Sequence, residues 1–289
     1  MKKMMFVFII LILISFTGCS QNNNEVYVKN ISFNNKNEML NITIQSYDFS
    51  DNEENYIFKT FSDSDKNVLS IVLEEDYNFR LCENVIISED LLKENLNNIL
   101  LLIHSLKIPP NTDILCCSES ETEKLAENVT QSVTKLYDFS QHNNKYSGVI
   151  SMVDDNGSSA GALIIGGGNA VKHITENNWK VLNILTGKIS YTPFLFNENL
   201  YCKIENISCF YCFSDCLEIN ICFTVNDIKG IPDSIDSDNI FKESLKAEME
   251  NIIYTLYNDD TITRHFNLNW YCQQKGVDCP GIKVNIKMM

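Results

Sequence analysis

The chain has 289 residues and a formal charge of −15, from 38 acidic and 23 basic side chains. That excess disfavours nucleic acid, whose binding is dominated by phosphate neutralisation, and it disfavours lying tightly on an anionic bilayer. The hydrophobic fraction of 44% is ample for a packed core, and the length fits one large domain or two to three small ones.

Lys2 and Lys3 open the chain, and Met4 to Phe16 is apolar except for Ser15. These 13 residues are well short of the roughly 20 a helix needs to cross a bilayer. A basic start, a short apolar stretch and small residues before a cut site describe a signal peptide over residues 1–18. Phe16-Thr17-Gly18-Cys19 resembles the bacterial lipobox. That resemblance implies cleavage before Cys19, a diacylglycerol on its sulfur and an N-acyl chain, a covalent lipid rather than a cofactor. The plainer alternatives are an uncleaved anchor or an ordinary signal peptide with a chance Cys. One acyl chain holds a protein marginally and two hold it stably. Ser20 to Asn24 then reads as a polar tether. Losing Lys2 and Lys3 takes the formal charge to −17, so the lipid has to do the anchoring. No later run is long enough to span a membrane.

Residues 19–140 read as an N-terminal α/β domain. Val26–Phe33 and Leu40–Phe49 are strand-like, with Leu40, Ile42 and Ile44 on one face. Val68, Leu69, Ile71 and Val72 predict a helix over Ser62–Leu73. Leu81–Ile87 is a strand. Ser88 starts a long helix with Leu92, Leu96, Ile99, Leu100, Ile103 and Leu106 at helical spacing, and Pro109-Pro110 ends it. Asp113–Cys117 is a short strand. Ser118-x-x-Glu121 is a capping box for a helix buried through Leu125, Val129, Val133 and Leu136.

Residues 141–190 change character. Gly148–Val153, Leu163–Ile165, Val171–Ile174 and Trp179–Leu185 predict short strands of a small β-rich domain, with Asn177-Asn178 as a hairpin turn. Residues 191–289 carry the cleanest patterns. Leu217, Ile219, Ile221, Phe223 and Val225 alternate with Glu218, Asn220, Cys222 and Thr224, a strand with one buried and one wet face. Phe241, Leu245, Met249, Ile252 and Leu256 mark a long amphipathic helix. Ile282, Val284, Ile286 and Met288 mark a terminal strand. The fold class is α+β: three small consecutive domains with mostly antiparallel sheets, after the signal peptide.

Residues for chemistry are sparse. Five cysteines, Cys202, Cys209, Cys212, Cys216 and Cys222, crowd together, and Cys209-x-x-Cys212 suggests zinc or redox chemistry. The alternation around them reads instead as a strand with Cys209 and Cys212 on opposite faces, where free Cys acts as a small hydrophobe. Vicinal Cys116-Cys117 reads the same way. Cys272 and Cys279 flank a Gly-containing loop and admit a disulfide. Gly166-Gly167-Gly168 lacks the Lys and Ser/Thr of a phosphate loop, so a hairpin or bulge is expected. His104, His142, His173 and His265 show no metal spacing, and His104 is expected at a core or edge position. Asp154-Asp155 and Asp259-Asp260 read as solvated turns. No catalytic, cofactor-binding or metal residues are assigned.

Three features in order are similar to the Ger(x)C spore-germination lipoproteins: the lipobox, residues 58–105 (FKTFSDSDKNVLSIVLEEDYNFRLCENVIISEDLLKENLNNILLLIHS), and a C-terminal sheet with a long helix. Within the second, Leu81–Leu92 resembles the family's apolar strand between two helices. Residues 159–186 (SAGALIIGGGNAVKHITENNWKVLNILT) resemble its middle stretch, with Gly168-Asn169-Ala170-Val171 fitting and Lys172 replacing an aromatic. Ser20-Gln21-Asn22 stands where members carry Trp-Asp. The resemblance implies a non-enzymatic C subunit of a nutrient germinant receptor, anchored through Cys19 at the outer face of the spore inner membrane. Its partners would be two integral-membrane subunits, one of them transporter-like; no small-molecule ligand is assigned, and the charge already disfavours nucleic acid. The alternative is a solute-binding lipoprotein feeding a transporter, which needs two lobes around a cleft. A tethered cell-wall enzyme needs a convergent catalytic set that the sequence does not display.

Overall fold

The structure, a computed structural model, describes residues 26–36, 39–48, 55–63, 72, 75–117, 134–136, 139–142, 145–154, 158–167, 169–196, 200–230, 237–276 and 281–289. Two sheets organise it. The first has ten strands: β1 (Val26–Lys36), β2 (Met39–Asp48), β3 (Asn55–Asp63), β4 (Tyr77–Asn78), β5 (Asn84–Ser88), β6 (Asp113–Cys117), β7 (Ser140–His142), β8 (Lys145–Val153), β9 (Ser159–Gly166) and β10 (Asn169–Ile174). Their order is β10-β9-β8-β6-β5-β1-β2-β3, with β4 beside β1 and β7 beside β8. Antiparallel meanders, β1-β2-β3 and β8-β9-β10, form the two ends. The centre, β1-β5-β6-β8, is parallel. Parallel neighbours need crossovers, and helix α1 (Glu89–Ser105) supplies the one between β5 and β6.

Side-chain alternation along the strands builds the first core. Leu40, Ile42 and Ile44 of β2 pack with Val85 and Ile87 of β5 and with Leu92, Leu96, Ile99 and Ile103 of α1. On β1, Val28, Ile31 and Phe33 share that face although their spacing breaks a strict period of two. A register shift between Val28 and Asn30 restores the parity, as a bulge does. The other face of β1 and β2 is polar yet buried, and on β5 it carries Ile86, buried with Leu115, Cys117 and Val153, between Asn84 and Ser88. Asn84 Nδ2 donates to Asn30 Oδ1 at 2.8 Å, and Asn30 Nδ2 donates to Gln45 Oε1 at 2.6 Å. In this ladder the Asn84 and Asn30 amide donors each find a neighbouring amide oxygen, as burying them requires.

The second sheet is β11-β12-β13-β14, comprising β11 (Tyr191–Phe196), β12 (Leu200–Phe213), β13 (Leu217–Lys229) and β14 (Ile282–Met288). The first three are an antiparallel meander. β14 returns parallel to β13, after helices α3 (Ser237–Tyr257), α4 (Asp260–His265) and α5 (Trp270–Lys275). Phe241, Leu245, Met249, Ile252 and Leu256 of α3 lie in one core with Ile219, Ile221 and Phe223 of β13, as their spacing predicts. Asp259 caps α4, accepting from the amides of Thr261 and Ile262 at 3.0 and 3.1 Å.

Residues 176–185 depart from expectation. The predicted strand Trp179–Leu185 and its Asn177-Asn178 turn form a helix, α2 (Glu176–Leu185). Every residue from Trp179 to Leu185 is buried, including Lys180 and Asn183. Seven residues, two of them polar and buried with the rest, are too short a run for its period to separate helix from strand. α2 is the bridge of the molecule. It packs with Val149, Ala162, Ile164 and Ile174 of the first sheet and with Phe194, Cys202 and Ile204 of the second. β9 therefore serves two cores, with Leu163 and Ile165 facing α1 and Ala162 and Ile164 facing α2. A register shift between Ala170 and Lys172 does the same for β10, turning Ile174 into the second core. Gly161 makes the junction possible. Its φ is +120°, and an added Cβ would sit 2.1 Å from the Ile174 carbonyl oxygen.

The fold is α+β with mostly antiparallel pairing, as the sequence predicts. The boundary expected at residue 140 falls inside the first sheet, because β8, β9 and β10 extend it past β6 rather than forming a sheet of their own. The boundary near residue 190 falls between the two sheets. The helix predicted over Ser62–Leu73 begins inside the end of β3; Val72 is helical, and residues 64–71 and 73 lie outside the described residues. So does most of the helix predicted from the Ser118 capping box.

Candidate functional site

Cys19, the predicted lipid-attachment residue, and the tether Ser20–Asn24 lie outside the described residues. Val26 opens β1, which has β2 on one side and β4 and β5 on the other. The chain thus leaves the predicted anchor directly into the first sheet.

The titratable side chains are dispersed. Among the described residues no three His, Cys, Asp or Glu side chains gather in a way that would hold a metal ion. His104, expected at a core or edge position, is exposed in the last turn of α1, outside the core. There its imidazole faces the negative end of the helix dipole. His173 is exposed on β10, and His142 lies in β7. His265 stacks edge-on against Phe266 at 5.1 Å. The Gly166-Gly167 turn is a hairpin between β9 and β10, as predicted, and the Gly167 amide donates to Ser147 Oγ at 3.1 Å. Asp154 closes a turn by accepting from the Ser158 amide at 2.8 Å.

The thiols are mostly packing groups. Cys82, Cys116 and Cys202 are buried free thiols, and Cys117 is buried beside Cys116. Burial pushes the Cys82 and Cys202 thiols up to about 12, so both stay protonated at neutral pH and are poor nucleophiles. Cys209 and Cys212 lie on one strand, β12, as predicted. Cys209 packs against the second core, and burial raises it to about 11. Cys212 donates to Glu218 Oε2 at 3.6 Å and accepts from Asn220 Nδ2 at 3.4 Å. Cys272 is disulfide-bonded; Cys279, the partner suggested by sequence, lies outside the described residues.

The best-developed polar arrangement is the face of the second sheet turned away from α3. Across it, Asn285 Nδ2 donates to Asn220 Oδ1 at 3.0 Å. Glu218 accepts from Ser214 at 3.1 Å and pairs with Lys283 at 3.3 Å. The Lys283 ammonium, then the Ser214 hydroxyl, hold the Glu218 carboxyl below its usual range. The arrangement presents a row of fixed donors and acceptors on that face of the sheet.

Sequence reasoning missed the contacts that join the two sheets. Lys172 of β10 pairs with Asp259 at 2.5 Å. Tyr211 of β12 donates to the Leu185 carbonyl at 2.6 Å. Trp179 of α2 lies 6.2 Å from Phe266. Each links residues far apart in the chain, and no local pattern signals such a pair.

No family model matches the chain, and no curated protein matches it. Among solved structures it is similar to the crystal structure of the GerBC protein, over 90% of this chain and 96% of that one, with 15% identity and a TM-score of 0.43. A likeness of that size at that identity assigns neither a site nor an activity. No helix among the described residues is long and apolar enough to cross a membrane.

Proposed function

We propose that the chain is a lipid-anchored, non-catalytic subunit of a spore nutrient germinant receptor that works by docking on integral-membrane subunits. The observation that carries the reading is the lipobox ending on Cys19, followed in order by the two stretches similar to the Ger(x)C lipoproteins. Six residues separate Cys19 from Val26, and a fully extended chain covers at most about 3.6 Å per residue. The tether therefore holds the first sheet within roughly 25 Å of the lipid, at the outer face of the spore inner membrane. At that distance a body with a charge of −17, the −15 of the full sequence less Lys2 and Lys3, meets membrane-protein surfaces more readily than anionic headgroups. The dispersed titratable groups and the polar face of the second sheet fit contact rather than catalysis.

Two measurements test this. Deleting the gene is expected to abolish nutrient-triggered germination while leaving sporulation intact; normal germination in the deletion strain sinks the receptor role. Cys19→Ala is expected to release the protein from membranes and to remove the mass of the lipid. Full membrane retention with unaltered mass sinks the anchor, independently of the receptor role.

A further inference from the structure

β14 ends the second sheet. It pairs with β13 along its whole length, from Leu217 opposite Ile282 to Phe223 opposite Met288. Among the described residues no strand pairs with its other side. An edge of seven residues with open amides and carbonyls is either guarded or used. A groove of ≈ 350 Å³ runs over the outer face of the sheet to this edge, lined by Phe210, Asn220, Lys246, Asn285, Ile286 and Lys287. Phe210 is 54% exposed at its floor, and the Asn220 and Asn285 amides are already locked to each other.

The charges beside the edge select an occupant. Lys246 reaches the groove from α3, which covers the inner face of the sheet, while Lys287 stands on the outer face opposite Cys222. Lys283 is taken by Glu218, whereas neither Lys246 nor Lys287 is in an ion pair with a described residue. In a chain of charge −15, two uncompensated ammonium groups thus flank one strand edge, one on each face. A second copy of the chain fits this edge poorly. Antiparallel pairing of two β14 strands centred on Asn285 would set Lys283 of each copy opposite Lys287 of the other, and like charges directly opposite destabilise a sheet.

An extended segment adding to an edge presents successive side chains to opposite faces. We infer that the β14 edge receives, as a fifth strand, an extended segment of a protein partner carrying two neighbouring acidic residues, one for Lys246 and the next for Lys287. The inference stands on the geometry of this strand and does not depend on the receptor assembly proposed above.

The test uses the full chain in uncharged detergent and a fluorescein-labelled, end-blocked peptide, Val-Thr-Val-Glu-Asp-Val-Thr-Val, read by fluorescence anisotropy. Saturable binding is expected. It should weaken at least tenfold in the K246E/K287E variant, whose circular dichroism and melting temperature should match the unsubstituted chain because neither lysine is buried. A peptide with Lys-Arg in place of Glu-Asp should not bind, and neither should the acidic peptide with alternate amides N-methylated. The inference is overturned by absence of binding, by equal binding of either control peptide, or by an unchanged affinity in the variant. Displacement by short-chain phosphatidylserine would reassign the groove to a lipid headgroup and overturn it too.

Discussion

Ile164 and Ile165 are neighbours on β9, and they belong to different cores. Ile165 is fully buried against the α1 layer, and Ile164, 2% exposed, is buried against α2. Replacing either by alanine removes three carbons from water-free surroundings. At about 0.8 kcal/mol per methylene the transfer loss is about 2.4 kcal/mol, and the unfilled cavity brings the total to about 3–4 kcal/mol. For a chain of this size that corresponds to a fall in melting temperature on the order of 10 °C. The informative part is which transition moves. If α2 and β9 bind the two sheets into one cooperative body, Ile164→Ala and Ile165→Ala each lower the same single transition, by calorimetry and by guanidinium unfolding followed with circular dichroism. Two transitions, one answering only to Ile164 and the other only to Ile165, would refute the claim that β9 and α2 couple the cores.

Three further outcomes follow from the same junction. Gly161→Ala is expected to destabilise by about 2 kcal/mol or more, since it combines a positive φ with a Cβ forced onto the Ile174 carbonyl; a variant with unchanged chemical-denaturation midpoint contradicts the close approach. Tyr211→Phe leaves the Leu185 carbonyl at the end of α2 without its 2.6 Å partner and is expected to cost about 1–3 kcal/mol, measured by the same unfolding curves; a loss under about 0.5 kcal/mol would show the bond to be idle. The Asp259 carboxyl is held below its ordinary value, first by the hydrogen bond from Lys172. A depressed carboxyl contributes stability that is fully present above its unfolded pKa and is lost as pH falls through the folded one. The stability gap between the unsubstituted chain and Lys172→Met should therefore hold from pH 7 to about pH 5 and close towards pH 2; a gap independent of pH excludes the pair as its source.

Where one face of an element is buried and the other wet, the sequence states the element. β13 and α3 are of this kind, and Cys209 and Cys212 fall on one strand because their neighbours alternate. The same reading places the two turns at Asp154 and Asp259. It does not see the amide ladder of Asn30, Gln45 and Asn84, because each of these residues alone looks like a solvated strand position. Only the pairing register shows that they satisfy one another. The bulges in β1 and β10 are equally silent, since each is known only by the partner strand it is counted against.

The largest departure is α2. In α2 the polar Lys180 and Asn183 are buried together with the apolar residues around them, so the run from Trp179 to Leu185 has no solvent-exposed stripe of the kind by which a surface helix announces itself. A strand pair that touches two cores likewise reads as a continuous apolar run, as Ala162–Ile165 does, rather than as an alternation. Residues 145–174 therefore look like a separate small unit in the sequence, because their pattern differs from that of β1–β6. It follows that the region least legible in the sequence is the one that joins the two sheets. Substitutions there, rather than in the cleanly patterned α3 or β13, are the ones that should change how the first sheet carries the polar face and open edge of the second.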